Sequence, residues 1–454
     1  MVRFLERGDT LTTGQFGVFC PYWSFQEGRV VLGATAQEII SALPPEKRVI
    51  DPVAFLELLS FNYMLGNRTL VQGVNRMPWR ATLRADGRVE RRPPIPHGNA
   101  EAQPEQAARE LGVRLERELL EVTKGRERIL LQLTGGLDSR VIAGILKKLE
   151  PQISGAIVCT TWGQRSSRDV AYAERIAHWY DWEFNHIPYD GELTWANIQR
   201  GAVWGGSEVA GFHLHGREWF RQCSPQDLVI AASFGDMVGR AEFSSIHLSR
   251  LKLEPIGNPW NLVSYSRADA WIAAATLDRA TAWEGEANDA LHVRCELDQQ
   301  ENYVRRMLAH ASDYIRQFCS VHQAFTSEAV VSYMWGLAPQ CRTDAIYHCL
   351  LRALDSKLYS LPWARTGEAP DGTLERDQNL AKEYHDCRNW ARGELRPKLE
   401  ELFFSEGLPG LGIVNSSARG KVWDDFVATG DNYEIVVKVA SVELSRRQFQ
   451  LGAG

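Results

Sequence analysis

No apolar run in this 454-residue sequence approaches the roughly 18–20 residues that a membrane-spanning helix needs. No membrane association is therefore expected. The opening MVRFLERGDTL mixes charges early and lacks an apolar core with a small-residue cleavage site. It does not read as a signal peptide, so the expected location is cytoplasmic. Cysteine is sparse: eight residues lie between Cys20 and Cys387, none forms a CxxC pair, and the closest two are Cys341 and Cys349. That spacing argues against a zinc site or a disulfide framework. A basic surplus is missing too. With 51 Lys and Arg against 57 Asp and Glu, the formal charge is −6, which gives no reason to expect a nucleic-acid partner. Internal repeats and low-complexity tracts are also absent. What remains is ordinary globular composition, 44% hydrophobic and 24% charged, over a length that suggests two or three domains. The fifteen tryptophans read as core or pocket walls.

The Pro-rich, polar stretch RRPPIPHGNAEAQPEQ from Arg91 to Gln106 is the linker candidate. It divides the chain into residues 1–95, a linker over 96–106, and residues 107–454. In the first part, RVVLGAT reads as a strand and VAFLELLSFNYML as a helix. WRATLRADGRVERR reads as strand, Asp–Gly turn and strand, giving a small mixed α/β unit. After the linker, Ala107, Leu111, Leu115 and Leu119 recur every four residues, a helical stripe. Then strands ERILLQLTGG, ISGAIVCTTWG, FNHIPYD and DLVIAASFGD alternate with helices SRVIAGILKKL and SRDVAYAERIAHWYD. The alternation predicts an α/β fold with a parallel sheet and right-handed crossovers. From about Trp260 the chain reads as mostly helical, including LDQQENYVRRMLAHASDYIRQFCSVHQAF.

The loop Thr134, Gly135, Gly136, Leu137, Asp138 and Ser139 follows a strand and opens a helix. Glycines allow a tight turn and close approach of backbone N–H groups. The helix N-terminus adds partial positive charge, so the loop suits an anion such as phosphate. The Ser139 hydroxyl is a further donor. Asp138 makes sense there only with a cation or a local hydrogen-bond partner. Neither GxxxxGK[ST] nor GxGxxG is present. A plain strand–helix turn with Asp138 or Ser139 as N-cap accounts for the same six residues.

TGGLDS resembles the S-G-G-x-D-S pyrophosphate loop of the asparagine synthetase-type ATP pyrophosphatases, with Thr134 in place of the usual Ser. Arg140 stands where the family has a small residue. VCTTWG, with Thr160 and Thr161, lies where the family passes a strand beside adenine. Asp169 and Ala173 resemble its Asp-x-x-x-Ala pattern. AASFGDMVGR resembles S-G-x-G-G-D-E-x-x-G-G, with Gly235 and Asp236 on the Gly–Asp pair and Met237 where Glu is usual. The segment from Asp51 to Trp79, with Arg68, Thr69 and Leu70, is similar to the end of the family's glutaminase domain. IVNSSARGKVWDDF and VELSRRQF are similar to its closing helices.

The resemblance implies a PP-loop ATP pyrophosphatase domain with a helical C-terminal part, preceded by a shortened Ntn-like α+β unit. It implies ATP and Mg²⁺ as cofactors. Thr134, Gly135, Gly136, Leu137, Asp138, Ser139, Thr160, Thr161 and Gly235 would bind the nucleotide, and Asp138 and Asp236 would hold the metal. The family's glutaminase needs a cysteine directly after the initiator Met. Here that residue is Val2 and the first cysteine is Cys20, so no glutamine hydrolysis is expected. Ammonia or an amine would come free, from the substrate, or from a separate glutaminase. The family also carries a lysine after an R-x-P-x-x-D segment. Arg342 and Asp344 lie in the corresponding APQCRTDAIYHC, and the candidates for the lost lysine are Lys357, Arg365 and Lys382. Arg365 is preferred because PWARTG is a non-helical turn and a guanidinium clamps two oxygens.

The expected function is adenylation of a small-molecule or peptide carboxylate, followed by amide formation. Asp138, Asp236 and Arg365 would be the catalytic residues. The alternatives are a ring-closing enzyme like lasso-peptide cyclases or β-lactam synthetases, and a non-catalytic nucleotide-binding scaffold. His213 and His215 in GFHLHG would share a face if the segment were a strand, and GLPGLGIVNSS reads as a loop.

Overall fold

The computed structural model describes residues 2–240, 252–263, 265–372 and 379–453. Three sheets organise the chain. Strands β1 (Arg3–Leu5), β4 (Arg29–Gly33), β3 (Tyr22–Gln26) and β5 (Val74–Arg76) form one antiparallel sheet in that order. Strands β2 (Thr10–Thr12), β6 (Ala81–Arg84) and β7 (Val89–Arg91) form a second. The Asp86–Gly87 turn joins β6 to β7, with Gly87 at φ 83°, a backbone region that glycine enters without steric cost.

The third sheet is parallel and five-stranded. Its order is β10 (Glu183–Ile187), β9 (Ala156–Trp162), β8 (Arg128–Gln132), β11 (Leu228–Ala231), β12 (Ser320–Gln323). Central strands of such a sheet are covered on both faces and read as continuous apolar runs. In β8, Ile129 and Leu131 pack with the helices Pro104–Thr123 and Leu137–Leu149, while Leu130 faces Phe220, Val229 and Ile315. The chain runs outward from β8 through β9 to β10, then returns to the other side of β8 as β11. The reversal leaves a crevice between the C-terminal ends of β8 and β11, where open α/β sheets bind ligands.

Four sequence expectations change here. The segment Ser320–Gln323 is not helical; it is the fifth parallel strand, pairing Val229 with Val321 and Ile230 with His322. The preceding helical stretch is also interrupted, since residues Gln299–Leu308 are a π-helix between the helices Leu291–Asp298 and Ala309–Ile315. GFHLHG is no strand either, because Gly211–Leu214 form a 3₁₀ turn and His215 has φ 50°. GLPGLGIVNSS is a loop only in part, holding the short helix Gly407–Gly410.

The first ninety residues share their core with the rest. The helix Pro52–Phe61 buries Val53, Ala54, Phe55, Leu56, Leu58 and Leu59, apolar on several faces because helices Ala268–Ala280 and Tyr433–Phe449 both pack on it. Asp51 caps it, its side chain accepting from the Val53 N–H, and Asn62 ends it in the left-handed region.

Buried charges tie the same parts together. Arg76 reaches Glu208 at 3.1 Å and Asp313 at 3.2 Å; Arg306 reaches Glu208 at 2.8 Å; Arg80 reaches Glu301 at 2.7 Å. The 96–106 segment is held as well. The Gly98 N–H donates to the Trp335 carbonyl (2.8 Å), and His97 stacks on Trp335. Among the described residues, no helix is long and apolar enough to cross a membrane.

Candidate functional site

At the crevice between β8 and β11 lies a pocket of about 130 Å³. Gln132, Thr134, Gly136, Asp138 and Ser139 line it from the end of β8 and the following turn. Trp162 comes from the end of β9, and Ala232 and Ser233 follow β11. The helix starts at Leu137, with Gly136 as N-cap and no side-chain cap hydrogen bond, so neither Asp138 nor Ser139 caps it. Its first-turn amides keep the partial positive charge of a helix N-terminus.

Much of the loop's hydrogen bonding is internal. The Thr134 N–H donates to Ser139 Oγ (3.1 Å), and the Ser139 hydroxyl donates to the Thr134 carbonyl (3.2 Å). The Gly136 N–H donates to Thr134 Oγ1 at 3.1 Å, and the Gly135 N–H to Asp169 Oδ1 at 3.0 Å. Thr134 and Ser139 thus shape the turn. Burial pushes the Asp169 carboxyl up to about 6, and the bond from Gly135 acts in the opposite direction. A Cβ on Gly135 would sit 2.7 Å from Ala364 Cβ and 2.9 Å from Tyr172 Cδ2, so only glycine fits. Leu137 points into the core.

Asp138 and Gly235 meet, while Asp236, the next residue, lines a separate cavity. A Cβ placed on Gly235 would lie 2.6 Å from Asp138 Oδ1 and 3.0 Å from Asp138 Cβ. The Gly235 carbonyl accepts from the Tyr347 hydroxyl at 3.0 Å, which fixes this approach. Asp236 opens a π-helical turn, Asp236–Arg240, a form frequent at functional sites. Among the described residues, no group of three or more His, Cys, Asp or Glu side chains is arranged to hold a metal. Two carboxylates completed by phosphate oxygens are, however, a usual Mg²⁺ site.

Thr160 and Thr161 are buried and do not line the pocket. The Thr160 hydroxyl donates to the Leu131 carbonyl (3.3 Å), and Trp162, next along, reaches the opening instead. Arg365 is exposed, its guanidinium 5.5 Å from the Trp363 ring centre. Lys357 and Lys382 are exposed, and Lys382 lies 3.7 Å from Glu383. Arg342 is buried in a two-pronged pair with Glu296, at 2.6 and 2.9 Å.

Arg140 has a clear role in the fold. Its guanidinium donates to the carbonyls of Gly135, Leu358, Leu361 and Pro362 at 2.7–3.0 Å, binding the loop to residues 358–362. Burial lowers its pKa to about 9, which leaves it charged at neutral pH.

No family model matches the chain, and no curated protein does either.

Gln132 escaped the sequence reading. It is 5% exposed, lines the pocket, and its amide nitrogen has no hydrogen-bond partner. An unsatisfied buried donor costs about 1–3 kcal/mol, a cost that an anion in the pocket would offset. The available signal was a glutamine closing a strand straight after three apolar residues. Among the thiols, Cys20 is fully buried and pushed up to about 11 by that burial, the reverse of an activated nucleophile. His213 is half-buried and lowered to about 3, first by desolvation of its ring and then by Lys438. It is a neutral packing group.

Proposed function

We propose that the chain is an ATP-dependent, AMP-forming amide ligase of the asparagine synthetase type, built on a PP-loop ATP pyrophosphatase fold. The observation that carries this reading is the crevice at the strand-order reversal. There, uncapped helix amides, the unpartnered Gln132 amide, and Asp138 against Gly235 converge. That set suits a pyrophosphate group. Asp138 and Asp236 would hold Mg²⁺, which when bound neutralises charge on the phosphate oxygens.

In the first step a substrate carboxylate oxygen attacks the α-phosphorus of ATP. The bond from that phosphorus to the bridging oxygen breaks, and pyrophosphate leaves. Ammonia or an amine then attacks the acyl carbon, giving amide, AMP and a proton. The protein contributes position and preorganised donors rather than a nucleophile. Gln132 and the first-turn amides orient the leaving pyrophosphate, and Arg140 keeps the turn rigid.

A second reading, a nucleotide-binding scaffold, is favoured by one observation: no Lys or Arg lines the pocket among the described residues. Incubation with α-labelled ATP, Mg²⁺ and pools of carboxylic acids separates the two. The ligase reading expects AMP and pyrophosphate that depend on one pool, abolished in folded Asp138→Ala and Asp236→Ala. ATP binding without AMP in any pool favours the scaffold, and ADP as product overturns both.

A further inference from the structure

The loop pocket has no cation among its described lining residues, yet a buried one stands one ring away. Trp162, which lines the pocket from the end of β9, has the Arg217 guanidinium 5.0 Å from its ring centre. Close packing fixes Arg217 there. A Cβ on Gly216 would lie 2.8 Å from Ile187 Cγ2 and 3.0 Å from Trp162 Cβ, so the residue before Arg217 rests directly on the last residues of β9 and β10. The sheet is parallel, so these ends lie on the same side as the loop after β8. Gln132 at the end of β8 pairs with Thr160, two residues before Trp162.

Arg217 is 6% exposed, and among the described residues no Asp or Glu pairs with it. Other buried arginines reach a carboxylate, as Arg76, Arg306 and Arg342 do, and Arg140 has its four carbonyls. Arg217 uses only Nη1, which donates to the His213 and Leu214 carbonyls at 3.4 and 3.3 Å, the long end of the range. Its Nε is buried without a partner. The Nε–Nη2 edge of a guanidinium is a fork that matches two oxygens of an oxyanion, and here that edge is unused. Burial lowers the pKa to about 10, so the charge persists at neutral pH, and it helps burial to keep His215 neutral. A buried charge without a counter-charge is costly to the fold, and a bound anion offsets that cost. Arg168 lacks an acid too, but Gly367 packs onto its guanidinium, where a Cβ would sit 2.7 Å from Cζ.

We propose that Arg217 is a further binding residue of this site and takes, through its free edge, the nucleotide phosphate next to those held in the loop. The inference rests on the nucleotide reading of the loop pocket. Neighbouring strands lie about 4.8 Å apart, a span that one carboxylate cannot bridge and a polyphosphate chain can. With pyrophosphate in the loop, the group at Arg217 is the α-phosphate. Arg217 then meets the negative charge that builds on its oxygens as the bond to the carboxylate forms and the bond to pyrophosphate breaks.

Isothermal titration of Arg217→Met and Arg217→Lys with MgATP, pyrophosphate and adenosine tests the assignment. Arg217→Met is expected to melt no lower than the wild type, because it leaves no counter-charge behind. It is expected to bind MgATP at least about tenfold more weakly. Pyrophosphate, which fills only the loop, and adenosine, which carries no anionic group, should bind variant and wild type alike. Arg217→Lys keeps the charge but not the fork, and should recover part of the loss. MgATP bound equally by the wild type and Arg217→Met overturns the proposal, while AMP release still decides the ligase reading. Pyrophosphate or adenosine weakened as much as MgATP, with a lower melting temperature, marks a structural role and overturns it too. A wild type that binds no MgATP overturns both readings. MgATP weakened alone in Arg217→Met, with no AMP from any acid, supports Arg217 and removes the ligase reading.

Discussion

At Gly235 the space of a single methyl group decides whether two carboxylate-bearing turns can meet. A side chain there would collide with Asp138 at 2.6 Å and with Phe325 Cε2 at 2.8 Å. Gly235→Ala must therefore shift the Asp138 side chain or the whole turn. The expected cost is about 1–3 kcal/mol of stability and at least about a tenfold fall in AMP release, since small misplacements at a reacting centre are expensive. Thermal melts and single-turnover assays read the two effects separately. A variant as active as the wild type would show that the approach of Asp138 to Gly235 does not matter to turnover. Gln132→Leu is the complementary change: it removes a buried donor without a partner, so the fold is expected to hold while ATP affinity falls, measured by isothermal titration.

Between elements, Arg140 makes one unit of two segments more than two hundred residues apart. The Ala364 N–H adds a bond to the Gly135 carbonyl at 3.1 Å. Nucleotide binding is expected to slow hydrogen exchange over 134–141 and over 358–364 together. In Arg140→Met the second segment should no longer respond, and the melting temperature should fall because four carbonyls lose a charged donor. Exchange that changes only at 134–141 in the wild type would contradict this coupling. The turn itself was legible in the sequence, because glycines between an apolar run and a helical stripe have few other uses. So was the strand–helix alternation from Arg128 to Ile187, where run length and period agree. The strand Ser320–Gln323 was hidden because three of its four residues are polar and it sits at the sheet edge. The π-helix at 299–308 was hidden because its cause is tertiary: Arg305 and Arg306, adjacent in sequence, both donate to the Gly66 carbonyl. The pocket's Trp162 and Ser233 were missed because their role depends on where separate strands end.

Across the whole molecule, buried titratable groups set the response to acid. His310 Nδ1 accepts from the Arg76 guanidinium at 2.9 Å, and burial, outweighing the attraction of Glu208, lowers it to about 3 from the usual 6.5. The unfolded chain therefore binds a proton that the native state refuses between about pH 6.5 and 3. The stability from neutral His310 is complete above 6.5 and is lost as the pH falls, at up to about 1.4 kcal/mol per pH unit. Asp169, raised to about 6, works in the opposite sense below that pH. Comparison with His310→Gln isolates the histidine: the melting temperature of the wild type is expected to fall more steeply between pH 7 and 5 than that of the variant. Equal slopes would mean that His310 binds its proton alike in the native and unfolded states.

Glu208 lies at the centre of the same cluster. Burial alone would raise it, but Arg306 and Arg76 hold it at about 2. Arg76 comes from β5, Glu208 from the stretch before β11, and Arg306 from the π-helix. Breaking such a pair by removing one partner costs about 3–5 kcal/mol. A recombination event that exchanged the first hundred residues for a foreign unit would take Arg76 from Glu208 and Arg80 from Glu301, leaving Arg306 and Arg305 to hold them alone. The two parts of this chain are therefore expected to tolerate exchange only as a single piece, and a substitution on one side of the charge cluster only when the other side changes in step.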